Sequence, residues 1–132
     1  MVARCRGARA MSEFVYSFEK LRVWNGAREL CKSVYQATKG FPRAELYGMT
    51  SQMNRAAVSV VADLAEGTSR ISRKDQALFT PISYGSLTEL ACLAILAADV
   101  SLLPPEREAA FRPRIDAIAR QLIALGDAQL RS

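Results

Sequence analysis

The sequence predicts an all-α fold, an antiparallel up-down-up-down four-helix bundle in one domain. Three observations predict it. Apolar residues recur every three or four positions in four separate stretches. Glycine and proline punctuate the chain between those stretches. Neither strand-like alternation nor an Asn-Gly hairpin signal appears. At 132 residues, 50% hydrophobic and 23% charged, the chain can bury one core without disulfides or metals.

The first helix is expected from Phe18 to Thr38, where Leu21, Trp24, Ala27, Cys31, Val34 and Thr38 share a face. Gly40 and Pro42 supply a C-terminal glycine and a breaker. The second runs from Ala44 to Glu66 on Leu46, Met49, Met53, Ala57, Val60 and Leu64, and Gly67 ends it. The third opens at Ser72, where Ser72 and Asp75 have the spacing of a capping box. It continues through Phe79, Ile82, Leu90, Leu93, Ala97 and Val100 until Pro104. The fourth starts near Pro105, with Glu106 and Glu108 in the turn where the helix dipole favours acids. Phe111, Ile115, Ile118, Leu122 and Leu125 form its stripe. Pro81 and Pro113 should each kink a helix or set its true start. Connections of about four to six residues make successive helices antiparallel neighbours. The third helix, about 31 residues and so about 46 Å long, is long for a monomer. Its second apolar stripe, Leu87, Ala91, Ile95 and Ala98, supports self-association.

The chain has no histidine, which excludes Ser-His-Asp and Cys-His catalysis, the HExxH zinc site and a histidine base. No glycine-rich phosphate loop is present. An enzyme is therefore not expected, and no cofactor or metal is implied. Cys5, Cys31 and Cys92 lack metal or redox spacing, so Cys31 and Cys92 are read as small buried hydrophobes in a reducing cytoplasm. Residues 1–12 lack the apolar centre of a secretion signal. Glu89 and Asp99 interrupt the longest apolar run, so no membrane span is expected. Residues 1–17 are read as a flexible basic extension and 18–132 as the bundle, with Met1 or Met11 as the start.

Two polar groupings stand out. Gln52, Arg55, Ser59, Asp63 and Glu66 share one face of the second helix, and Ser86 and Glu89 follow the same spacing on the third. One reading is a site, with Asp63, Glu66 and Glu89 gathered around Arg55 and able to hold a hard cation. The other is a hydrogen-bonded seam that fixes register or oligomer state. The second grouping is basic. The net charge is +5, and Arg4, Arg6 and Arg9 lie in the first ten residues. An up-down bundle gathers these with Lys20, Arg22, Arg70, Arg73, Lys74 and Arg131 at one end. Arg73 and Lys74 occupy a first helical turn, where the dipole disfavours cations, and one reading of such a placement is function. An ordinary solvated loop is the competing reading. No interleaved aromatic platform is evident, so binding is expected to be to phosphates.

The segment Leu46–Gly67, with Phe18–Trp24, Phe41-Pro42 and Gly85–Leu90, resembles a four-helix bundle family encoded by intervening sequences in bacterial 23S ribosomal RNA genes. That family is similar to the accessory protein of diversity-generating retroelements, a barrel-like pentamer whose basic surface engages reverse transcriptase and nucleic acid. The resemblance implies a cyclic homo-oligomer, a pentamer, without enzymatic activity. The implied partners are RNA or DNA, or a reverse transcriptase or ribosome-related protein. A protein–protein adaptor without nucleic-acid binding is the alternative. Asp63 stands where the family usually has asparagine, and Pro81, Ser83 and Tyr84 break its usual apolar run.

Overall fold

The four apolar periodicities become four α-helices, and there is no strand among the described residues, 14–131 of a computed structural model. A short 3-10 turn at Ser17–Lys20 precedes α1 (Arg22–Thr38). Another, Arg43–Glu45, lies between α1 and α2 (Met49–Thr68), followed by α3 (Arg73–Asp99) and α4 (Pro105–Leu130). The α1–α2 connection is thus longer than expected and carries structure of its own. The other two connections are as short as the punctuation implies.

Each helix contributes one stripe to a common core. Leu30 and Val34 of α1 meet Met53 and Val60 of α2, Leu87 and Leu90 of α3, and Leu122 of α4, all essentially sealed from solvent. Helices α2 and α3 share the most extensive contact; α3 also packs on α4, and α1 lies against both α2 and α4. Cross-links identify the neighbours: Gly67 meets Phe79, Gly26 meets Ile118, and Arg114 Nη1 donates to Ser33 Oγ at 2.8 Å. Leu46, Ile82 and Val100 were expected in the stripes but are exposed. Leu46 precedes α2 and Val100 follows α3, so neither obeys the helical phase that the periodicity assumed.

The helix ends follow local chemistry. Ser72 caps α3, its Oγ accepting from the Asp75 backbone N–H at 3.0 Å. Helix α3 stops at Asp99, giving 27 residues and not about 31. Ser101 takes a left-handed φ of 66°, and the Leu102 N–H bonds back to the Ala97 carbonyl at 2.8 Å. That is a Schellman termination, with serine where glycine is preferred. Gly40 and Gly67 do not play this part, since neither has positive φ. Gly67 lies inside α2, and a Cβ there would stand 2.9 Å from Phe79 Cβ. Its role is close approach of α2 to α3.

Pro81 and Pro113 lie inside α3 and α4 without setting their starts. Both are solvent-facing, where the carbonyls they orphan can turn to water. Ser83, a break in the apolar run, is fully buried and its hydroxyl donates to the Val60 carbonyl at 2.8 Å. Thr80 Oγ1 donates to Gln129 Oε1 at 2.8 Å, a buried link from α3 to α4. By length and composition α3 can cross a membrane, with mean hydropathy 1.4 over 18 residues, although a third of that window is buried inside the fold.

Candidate nucleic-acid interface

The basic residues cluster where two helix ends meet. The loop after α2 and the first turn of α3 carry Arg70, Arg73 and Lys74, all exposed. Arg73 Nη1 donates to the Ala128 carbonyl at 3.3 Å, which brings the start of α3 to the end of α4. Arg131, exposed, caps that helix three residues beyond Ala128. Arg70 is partly engaged: Nη2 lies 3.2 Å from Glu66 Oε2, and its guanidinium stands 4.6 Å from the Phe79 ring centroid. An exposed pair of this kind is worth less than about 1 kcal/mol, so Arg70 can exchange it for another anion at small cost. Between these cations Ile71 is fully exposed.

Lys20 and Arg22 are exposed at the entry to α1, where the 3-10 turn packs on α1 and α2. Here the structure departs from the sequence reading, because an aromatic array is present. Phe14 meets Tyr16 edge-on with centroids 4.9 Å apart; Tyr16 stacks on Phe18 at 5.3 Å and 4°; Phe18 packs on Trp24 at 4.8 Å. The Arg28 guanidinium lies 5.5 Å from the Trp24 ring centroid. Spacing alone hid this array, since its rings come from an extended stretch, a 3-10 turn and a helix. The alternation of residues 14, 16 and 18 was its one available signal. Arg4, Arg6 and Arg9 lie outside the described residues.

The polar seam does not close within the chain. Among the described residues no hydrogen bond joins Gln52, Arg55, Ser59, Asp63, Glu66, Ser86 and Glu89 to one another, except as neighbours along the helix backbone. Arg55 and Ser59 line a groove with Tyr35 and Tyr47, whereas Asp63 lines a narrow cleft with Thr80 and Gln129. Glu66 faces Arg70. No group of three metal-ligating side chains forms among the described residues. Burial, with a smaller contribution from the Glu66 charge, raises the Asp63 pKa above its ordinary value. Cys31 is half-buried and its thiol pKa is also raised by burial, while Cys92 is exposed, contrary to the buried role expected of it.

The model of the 23S rRNA-intervening sequence protein family matches residues 19–124. The chain belongs to this family. No curated protein matches it. The family span includes Lys20, Arg22, Arg70, Arg73 and Lys74, whereas Phe14, Tyr16, Phe18 and Arg131 fall outside it. The basic start of α3 thus lies within the matched span, whereas the end of α4 and the outer aromatic rings lie beyond it.

Proposed function

We propose that this protein is a non-enzymatic, cyclic homo-oligomeric bundle that binds RNA or DNA, or a protein that handles them, through its basic end. The observation that carries the reading is the junction of Arg70, Arg73 and Lys74 with the end of α4 near Arg131. Cations on two helix ends can contact several phosphates at once, which sequence-independent binding requires. An up-down-up-down course is part of the proposal. It is supported by the order of the contacts, with Gly67 against Phe79 but Val60 against Ser83. Self-association is supported by Leu78, Ile82 and Leu96, exposed apolar side chains of α3, whereas Leu87 of the expected second stripe is buried in the chain's own core. Five subunits and a reverse transcriptase partner follow from the retroelement resemblance, a ribosome-related partner from the intervening-sequence family, and a cytoplasmic setting from the widely spaced cysteines.

Fluorescence anisotropy with duplex and single-stranded RNA and DNA, at low and physiological salt, tests the reading. Binding should fall steeply with salt, and Arg70→Ala/Arg73→Ala/Lys74→Ala should weaken every complex. Absence of binding at low salt refutes it. The adaptor reading would then lead, favoured by an apolar groove of about 300 Å³ between α3 and α4, floored by Leu87, Ala91, Phe111 and Ile115. Light scattering with Arg55→Ala and Glu89→Ala tests whether the seam sets subunit number.

A further inference from the structure

The aromatic array that precedes α1 has an exposed outer end among the described residues. Phe14 and Tyr16 are 65% and 56% exposed, whereas Trp24 at the inner end is buried. Exposed rings are ordinarily mobile, yet these are held from below. Tyr16 N donates to Glu19 Oε1 at 2.9 Å, closing the turn on itself. Asn25 Nδ2 reaches both the Glu19 and Leu21 carbonyls, at 2.8 and 3.0 Å, and fixes that turn to α1. Tyr16 is further backed by the parallel face of Phe18. Two rings thus stand in solvent on a braced support.

The surrounding charge identifies what such rings would meet. Among the described residues, Lys20 and Arg22 follow the rings at the entry to α1, both exposed, and Glu19 is the one acid that precedes that helix. Glu19 is turned inward onto the Tyr16 backbone. Aromatic faces in a cationic setting fit a polyanion that also presents flat π-faces. Single-stranded nucleic acid has both properties. A duplex hides its base faces inside its own stack, so it offers the phosphates alone.

We propose that Phe14 and Tyr16 form a stacking platform for unpaired bases, which gives this chain a preference for single-stranded nucleic acid over phosphate charge alone. The proposal rests on the nucleic-acid reading above and deepens it. Lys20 and Arg22 hold the adjoining phosphates, while the Arg70–Lys74 cluster supplies binding that is blind to bases. Both outer rings precede the residues that the family model matches.

The test uses the full chain and two fluorescent single strands of about 12 nucleotides, one oligothymidine and one abasic with the same phosphates. The wild type should bind oligothymidine at least about fivefold more tightly than the abasic strand. Phe14→Ala/Tyr16→Ala should abolish that ratio and leave the abasic affinity unchanged. Phe14→Tyr/Tyr16→Phe should keep it. Emission from Trp24, the single tryptophan, reports that the inner rings stay packed in each variant. Arg70→Ala/Arg73→Ala/Lys74→Ala should weaken both strands and preserve the ratio. Equal binding of the two strands by the wild type overturns the platform and leaves the basic end intact. Loss of neither strand's affinity in the ring variant, or a changed oligomer mass with no strand preference, also overturns it. Failure of both strands to bind at low salt removes the platform and the nucleic-acid reading together.

Discussion

Replacing Gly67 with alanine sets two opposing effects against each other at one atom. A methyl at this position lies 2.9 Å from Phe79 Cβ. Carbon–carbon contacts settle near about 3.5–4.0 Å, so α2 and α3 must part by roughly 0.6–1 Å. Phe79 Cβ is bonded to its own backbone, and no rotamer change moves it away. Forcing one methyl into a packed helix contact costs about 1–3 kcal/mol. Against this, alanine improves on glycine in a helix by up to about 1 kcal/mol. The net expectation for Gly67→Ala is a loss of about 0–2 kcal/mol, centred near 1, or roughly 3–5 °C in Tm for a domain of this size. Gly26→Ala is the internal control. Its nearest new contact is Ile118 Cγ1 at 3.7 Å, an ordinary distance. That variant should gain about 0.5–1 kcal/mol, because only the propensity effect remains. Urea unfolding followed by far-ultraviolet circular dichroism, at one fixed protomer concentration, measures both. Equal gains from the two substitutions would refute the claim that Gly67 is required for close helix approach.

Ser101→Gly should stabilise the fold by about 1 kcal/mol, since the left-handed φ costs serine that much and glycine almost nothing; a loss in thermal denaturation counts against the termination described here. Thr80→Val should cost about 1–3 kcal/mol by leaving buried Gln129 short of a partner. Adding Gln129→Leu should recover part of that cost, and a double-mutant cycle with purely additive losses would show that the pair is not coupled. Asp63→Asn should raise stability at pH 7. The raised Asp63 pKa means the folded state holds its proton more tightly than the unfolded chain does. Its contribution is therefore fully present below the ordinary value of 3.8 and is lost as pH rises through the folded-state value. The advantage of the asparagine variant should shrink toward pH 4 in parallel melts, and an advantage that grows instead would reverse this sign.

The basic cluster was legible because Arg70, Arg73 and Lys74 are close in sequence and flank a helix start marked by Ser72. Its junction with α4 was not, because the Arg73–Ala128 contact joins residues 55 positions apart. The polar seam illustrates the converse. Helical spacing placed Arg55 and Asp63 on one face, but the neighbours of α2 divide that face between two clefts. Cys31 and Cys92 looked alike in sequence, and only packing made one half-buried and the other exposed.

The sequence by itself determined four helices, the Ser72 cap and the Pro105 start, and placed Val34, Met53, Val60, Leu90 and Leu122 in buried stripes, because each follows from dihedral preference, periodicity or a nearby hydrogen bond. Tertiary structure alone decided which glycine is needed for contact and which residue bears the left-handed turn. It also decided that Ser83 is buried against a carbonyl and that four aromatic rings meet at the start of the bundle. Those outcomes depend on the distance between atoms far apart along the chain or in differently shaped segments. Such distances are set when whole helices pack, and no local preference encodes them.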